Sequence, residues 1–230
     1  MYGEKEQSFL PRSFLLVNHL AAVLIVFWLL FVGGIEFTGS KFGGVWSGGD
    51  LLRRILIFSC SVIYFIRVIL TGFFLLKRKM DWSEVWTIAI WLYFIHITFA
   101  LLGGIQTDSV GIIAIIGIVL YLTGSYLNTG SEYFRKIWKQ DPANKGKLYT
   151  EGLFKYSMHI NYFGDFVLFT GFALITHNLF SFIIPLLMFI FFVTINTPLL
   201  DKYLAEKYSR EFPGYSRQTK KFVPFIYLIY

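Results

Sequence analysis

Residues 152–165 read Gly152-Leu153-Phe154-Lys155-Tyr156-Ser157-Met158-His159-Ile160-Asn161-Tyr162-Phe163-Gly164-Asp165, and an apolar run continues straight on from Phe166 to Ile175. This junction decides the class of fold. A polar cluster that leads without a break into hydrocarbon-like sequence is read as a chain entering a bilayer. His159, Asn161, Tyr162 and Asp165 are costly beside lipid, and polar groups retained there mark a functional site by default. On a helix, Ser157, Asn161 and Asp165 recur at i, i+4 and i+8 and share one face. Tyr162 flanks that face, and His159 lies partly away from it.

The composition agrees with a membrane setting. The chain has 230 residues, of which 56% are hydrophobic and 15% charged, and its mean hydropathy is +0.60. Soluble domains carry roughly 25% charged residues. Aromatics reach 20%, with 26 Phe, which suits lipid-facing surfaces and surfaces for flat substrates alike. The net charge of +7 does not point to nucleic acid, because the basic residues lie between apolar spans rather than along one soluble face. Cys60 is the only cysteine, so an intrachain disulfide and a cysteine zinc site are excluded. The four histidines show no metal-ligand spacing, and no metal is expected. His19 and His96 stand singly on apolar spans and are read as packed or paired rather than as ligands.

Six stretches approach the roughly 20 apolar residues that cross a bilayer: 13–35, 52–76, 84–104, 109–128, 157–176 and 179–200. The first exceeds the roughly 7–15 residues of a signal peptide's apolar region and is read as a span. The expected fold is all-α: a polytopic transmembrane helical bundle of about six to seven spans, forming one integral membrane domain over 1–230. Lys77, Arg78 and Lys79, the basic 129–151 loop and the basic tail all fall on one side, which the positive-inside rule assigns to the cytoplasm. With six spans both termini are cytoplasmic. Lys41, Arg53 and Arg54 dissent, since they fall on the outer side. The glycine-rich loop 39–49 is read as a flexible connector.

Three further features carry chemistry. Asn128, Glu132 and Lys136 repeat at i, i+4 as span four leaves the membrane. Arg67 lies ten residues before Lys77, about 15 Å along a helix, where a charge costs roughly 2.5–3.5 kcal/mol; it is expected to line a cavity and meet an acid or a phosphate. Tyr64 shares its face. The tail, from Leu200 through Tyr208 and Tyr215 to Pro224-Phe225, is basic and aromatic. Such a segment either lies on anionic lipid or folds back over the 152–165 cluster. No Rossmann, Walker or GxSxG pattern is present.

These segments together resemble the steroid 5-alpha-reductase family, and more closely its bacterial branch. That family shows a Gly-Leu-Phe/Trp segment leading into Arg-His-Pro-Asn-Tyr-x-Gly-Glu. Here it stands as Gly152-Leu153-Phe154 and Met158-His159-Ile160-Asn161-Tyr162-Phe163-Gly164-Asp165. The loop Asp141-Pro142-Ala143-Asn144-Lys145-Gly146-Lys147 is also similar, as are Leu199-Leu200-Asp201 through Lys207-Tyr208, Tyr215 and Pro224, and Tyr64, Arg67 and Lys77-Arg78 of span two. The likeness covers about 55–225. It implies a membrane-embedded NADPH-dependent reductase of a carbonyl-conjugated double bond in a lipid-like substrate, whether steroid, polyprenol or fatty. By the same resemblance Asn128, Glu132, Asn161, Tyr162, Asp165, Arg67 and Tyr208 hold the nucleotide. Tyr64 polarises the substrate carbonyl, and Glu36 is the acid that accompanies it.

The chain departs from the family at Met158 and Ile160, where Arg and Pro are usual, and at Asp165, where Glu is usual. The Arg is a phosphate contact that Lys155 can replace. The rival readings are an S-adenosylmethionine-dependent membrane methyltransferase, which usually carries a Glu-Glu pair where this chain has Asp201 and Glu206, and a non-catalytic relative. The expected partners are a lipid-like small molecule and the bilayer, with no nucleic acid and no obligate protein partner. The expected location is a bacterial inner membrane or the endoplasmic reticulum, with the active site facing the cytoplasm.

Overall fold

The computed structural model describes residues 8–76 and 78–225; Lys77 lies outside the described residues. All regular elements described are helical: α1 (Phe9–Phe31), α2 (Gly34–Lys41), α3 (Leu51–Ile69), α4 (Trp82–Gly104), α5 (Ile112–Ser125), α6 (Ser131–Trp138), α7 (Ile160–Thr176), α8 (Ile183–Phe191), α9 (Thr197–Lys207) and α10 (Phe212–Gln218). Three π-helical segments, Leu70–Leu75, Tyr126–Gly130 and Phe192–Asn196, continue α3, α5 and α8. Among the described residues, five helical runs are long and apolar enough to cross a membrane: Phe9–Phe31, Leu51–Leu75, Trp82–Gly104, Ile112–Trp138 and Leu179–Lys207. The protein is therefore a polytopic helical membrane bundle. Leu24, Ile66, Ile90, Val119 and Ile190 stay exposed on these runs, as side chains that face hydrocarbon must.

The fifth expected span differs. Helix α7 begins at Ile160, not at Ser157, and has 17 residues, about 26 Å at roughly 1.5 Å per residue. That falls short of a hydrocarbon core of about 30 Å. Ser157 instead forms an isolated parallel bridge with Lys220. The next two amides donate to the tail, Met158 N to Lys220 O at 2.8 Å and His159 N to Lys221 O at 3.1 Å. Ser157 thus does not share a helix face with Asn161 and Asp165. Span four differs in the other direction, running on through the π segment and α6 to Trp138, so Asn128 and Glu132 ride on one continuous helical run.

The backbone divides into two compact units, Met1–Val119 with Thr170–Ile184, and Leu120–Phe169 with Pro185–Tyr230. In the first, α1, α3 and α4 pack on one another around Ala22, Val26, Ile57, Ile95 and Phe99. Phe99 stacks on Phe172 with ring centroids 4.2 Å apart. The two arginines that dissent from the positive-inside rule, Arg53 and Arg54, are consumed here. Arg53, only 1% exposed, donates to Ile175 O at 2.8 Å and Asp108 O at 2.9 Å. Arg54 donates to Leu30 O at 2.7 Å. Ile175 and Leu30 lie in the last turns of α7 and α1, whose carbonyls lack helical partners and carry the negative end of the helix dipole. These charges cap helices, which explains their dissent from the orientation rule.

The glycine-rich loop is also corrected. Gly49 N donates to Gly104 O at 2.7 Å and Asp50 N to Gln106 O at 2.8 Å. A Cβ at Gly49 would lie 2.1 Å from Gln106 O. The glycine permits a backbone-to-backbone dock, so the end of this stretch at Gly49 is packed, while Phe42, Gly43 and Val45 stay exposed.

In the second unit the run from α5 into the π segment lies against α7 with almost no side chain between them. A Cβ at Gly124 would stand 2.3 Å from Leu168 N, and one at Gly164 would stand 2.5 Å from Asn128 N. Small residues at such crossings let helices approach in a membrane. Gly164→Ala is expected to lower stability by about 1–3 kcal/mol through overpacking, read as a fall in melting temperature in detergent. An unchanged melting temperature would contradict the close contact.

Candidate functional site

The second unit gathers most of the expected residues. Asn128 lies inside the π segment Tyr126–Gly130, and such local departures from α geometry recur at functional sites. Its Nδ2 donates to Asn161 O at 3.0 Å. Asn161 Nδ2 in turn donates to Glu132 Oε1 at 3.1 Å, and Glu132 pairs with Arg135. The Asn128 carboxamide, the main-chain carbonyl and carboxamide of Asn161, the Glu132 carboxylate and the Arg135 guanidinium thus form one chain across the π segment, α6 and α7. Asp165 follows one turn along α7, half-buried.

The 152–159 stretch is built around this chain. Gly152 has φ +58, a left-handed conformation that glycine adopts without a Cβ penalty, and it opens the 3-10 turn Gly152–Lys155. Phe154 is buried with Tyr149 and Ile160, while Lys155 stays exposed. Met158 packs with Leu148, Phe212 and Tyr215. The side chains at both positions where the resembling family has Arg and Pro are therefore inside apolar clusters.

Of the two dispositions open to the tail, the fold-back is observed. Besides the two backbone bonds, Ser157 Oγ donates to Phe222 O at 2.7 Å and Tyr215 Oη donates to Phe154 O at 2.7 Å. Burial, then the charge of Asp201, pushes the Tyr215 phenol well above its ordinary range, with Arg135 opposing, so it stays a donor. Leu148 N donates to Glu211 Oε2 at 2.5 Å.

A second polar group was not anticipated. His159 is fully buried and its Nε2 bonds Asp201 Oδ1 at 2.9 Å, while Lys221 Nζ stands 3.4 Å from Asp201 Oδ2. A neutral imidazole that donates through Nε2 keeps Nδ1 as an acceptor. Tyr162 stacks on His159 at 5.7 Å and 6° and on Phe192 at 4.8 Å and 8°. Its ring is thus committed to a three-ring stack. His159 and Asp201 are 42 residues apart, and no local spacing announces the pair.

Tyr208 lies among cations. Lys139 and Lys207 stand over its ring at 5.1 and 5.5 Å, and Lys139 Nζ is 3.4 Å from its hydroxyl. Burial, then Arg135 and Lys207, hold the Lys139 ammonium below the ordinary lysine range, with Glu211 opposing. Like charges gathered this way favour an anion.

The remaining expected residues belong to the first unit. Tyr64 meets His19 and His96 ring to ring at 5.2 and 5.8 Å. Arg67 is buried, with its guanidinium 5.7 Å from the Tyr64 ring centroid. Glu36 is exposed on α2 and accepts from Gly48 N at 2.9 Å. Gly48 sits at the foot of α3, whereas Tyr64 lies about 20 Å up that helix at roughly 1.5 Å per residue. The structure does not bring Glu36 to Tyr64, because Glu36 secures the outer loop instead.

The fold and these groups define the class: a polytopic membrane protein with a chain of amides, carboxylates and cations set into its helices. Over residues 66–219, two thirds of its length, the chain matches the family described as "Protein of unknown function (DUF1295)", and it belongs to that family. No curated protein matches it.

Asp201→Asn is expected to loosen the tail, since it removes the charge shared by His159 and Lys221; losing a charged hydrogen bond costs about 1.5–3 kcal/mol. Trypsin cleavage after Lys220 or Lys221, followed by mass spectrometry, should accelerate severalfold. Equal rates in variant and wild type would remove Asp201 from the docking.

Proposed function

We propose that the protein is a divergent relative of the steroid 5-alpha-reductases, a membrane-embedded NADPH-dependent reductase of a carbonyl-conjugated double bond in a lipid-like substrate. The observation that carries this reading is the Asn128–Asn161–Glu132 chain. Residues assigned to the nucleotide by resemblance alone, and 29 to 33 positions apart, are hydrogen-bonded to one another in one unit.

The donor set suits a dinucleotide. Carboxamides and carboxylates of Asn128, Asn161, Glu132 and Asp165 match ribose hydroxyls and a nicotinamide carboxamide. The cations Arg135, Lys139 and Lys207 match phosphates, with Tyr208 offering an aromatic face beside them. This set stands in for the missing family Arg, since Lys155 is exposed on the 152–155 turn. When bound, NADPH would supply a hydride to the β-carbon of the substrate, and a proton taken up from the medium would complete the reduction at the α-carbon. Tyr64 donates a hydrogen bond to the carbonyl oxygen as negative charge develops there, and Arg67 over its ring favours the same charge. Such a donor aimed at a developing oxyanion is worth about 10²–10³ in rate. The hydrocarbon surround excludes water, which strengthens that bond. The lysines and arginines of the loop that follows these groups support, by the positive-inside rule, a site facing the cytoplasm, and an inner or endoplasmic reticulum membrane is part of this proposal.

Purified protein in detergent should bind NADPH, followed by its fluorescence. Asn161→Ala should weaken binding about tenfold, equivalent to about 1.4 kcal/mol. Tyr64→Phe should leave binding intact and slow enone-dependent NADPH oxidation about 100-fold. Protein that binds S-adenosylmethionine and not NADPH is instead a methyltransferase, and protein that binds neither is a non-catalytic relative.

A further inference from the structure

The first unit buries a polar chain that the proposed reaction does not use directly. His19 on α1, Ser61 on α3 and His96 on α4 are all fully buried, one from each of the three helices that pack most closely. His19 Nε2 lies 2.8 Å from His96 Nε2, and His96 Nδ1 lies 3.1 Å from Ser61 Oγ. Two ring nitrogens at that distance share one hydrogen, so one imidazole donates and the other accepts. The Ser61 hydroxyl, which can donate or accept, fits either direction of the chain.

Phenylalanine or leucine fills such a space at lower cost, since polar groups in an apolar interior must be desolvated. What the chain touches shows what it holds. Ser61 and Tyr64 are three residues apart on α3 and therefore neighbours on its surface. The Tyr64 ring lies against His19 at 66° and against His96 at 44°, and Arg67 covers it from one turn further on. Each imidazole is pinned at Nε2, and His96 is pinned at both nitrogens. Neither can turn without breaking a buried hydrogen bond, so the tyrosine ring rests on a surface that cannot give.

We propose that the Ser61–His96–His19 chain is the positioning device of Tyr64: it fixes the plane of the ring and hence the plane in which the hydroxyl hydrogen, held coplanar with the ring by conjugation, can donate, with His19 and His96 as positioning residues. This rests on the reading of Tyr64 as the carbonyl donor only for its catalytic consequence; the fixing of the ring stands apart from it.

The test places 3-fluorotyrosine at residue 64 of the full-length protein in detergent and records its fluorine spectrum. The pinned ring should give separate, slowly exchanging signals or one signal from a single ring orientation. His96→Phe should collapse these to a motionally averaged line. Ser61→Ala, which removes only one oxygen, should broaden them, and His96→Gln, which keeps a donor and an acceptor, should restore most of the original spectrum. An unchanged spectrum in both His96→Phe and Ser61→Ala, with helicity and melting retained, overturns the proposal. The catalytic arm is separate. With a 3-keto-4-ene steroid, Tyr64→Phe and the double variant Tyr64→Phe/His96→Phe should be equally slow, because a positioning residue has no effect once its client is gone. If Tyr64→Phe leaves reduction unchanged while the fluorine spectrum responds, the reductase role of Tyr64 fails and the positioning stands.

Discussion

The contact on which the second unit depends is one between backbones. At Gly124 and Gly164 the run from α5 and helix α7 meet without side chains between them, close enough that a Cβ at Gly164 would collide with the amide of Asn128. That proximity lets a short carboxamide reach from Asn128 to the Asn161 carbonyl. A wider helix spacing would leave the two asparagines and Glu132 as separate half-buried polar groups, each losing its partner. The glycine of the Asn-Tyr-x-Gly segment is thus part of the site's geometry, although it holds nothing itself. Within the first unit Gly117 meets Gly171 in the same manner.

Hydrocarbon makes every polar group answerable for its partner, and this sorts the charges of the chain. Arg53 and Arg54 each donate to a helix-terminal carbonyl, and Arg53 donates to the loop carbonyl of Asp108 as well. Arg12 donates to Arg78 O, and Arg78 pairs with Glu84. These groups hold the first unit together, and their presence in spans says nothing of catalysis. The Asn128–Asn161–Glu132 chain is different in kind. Its members are half-buried and end on Arg135 beside the cations around Tyr208, so the network joins the interior to a face that attracts anions.

Much of this was legible from residue order. Apolar runs of bilayer length located five spanning helices, since the length needed is set by the membrane and not by packing. The i, i+4 spacing of Asn128 and Glu132 put both at the end of one helix. The tail's docking was harder, because Lys220, Lys221 and Phe222 act through backbone carbonyls, which carry no residue signature. The same is true of the start of α7, where residues 157–159 spend their amides on the tail. His159 with Asp201, and His19 with His96, unite helices far apart in sequence. The sequence marks His159 as a site residue and leaves His19 and His96 as packed or paired, and only the distances of 2.9 and 2.8 Å show which group each one bonds. Glu36 failed for the converse reason: closeness to a span end does not say which end of the neighbouring helix a residue serves.

The departures at Met158 and Ile160 look different once their surroundings are known. Ile160 is the first residue of α7, the position at which proline is tolerated because its missing amide hydrogen has no helical partner. An isoleucine there starts the same helix and fills the space beside Tyr149 and Phe154, so Asn161 keeps its place. Met158 is 3% exposed among Leu148, Phe212 and Tyr215. An arginine in that cluster would have to desolvate a charge without a partner, so methionine here is the residue the local core requires. The change did not leave a hole in an otherwise basic wall. On the reductase reading, the positive charge the relatives keep in the motif has moved to the far side of the tail, to Arg135, Lys139 and Lys207. Burial, and after it the repulsion from Arg135 and Lys207, holds Lys139 below its ordinary range, and on that reading an arriving anion relieves the repulsion. On the reductase reading a site arranged this way depends on the tail remaining docked, and nucleotide affinity is then tied to the His159–Asp201 bond rather than to any one phosphate contact.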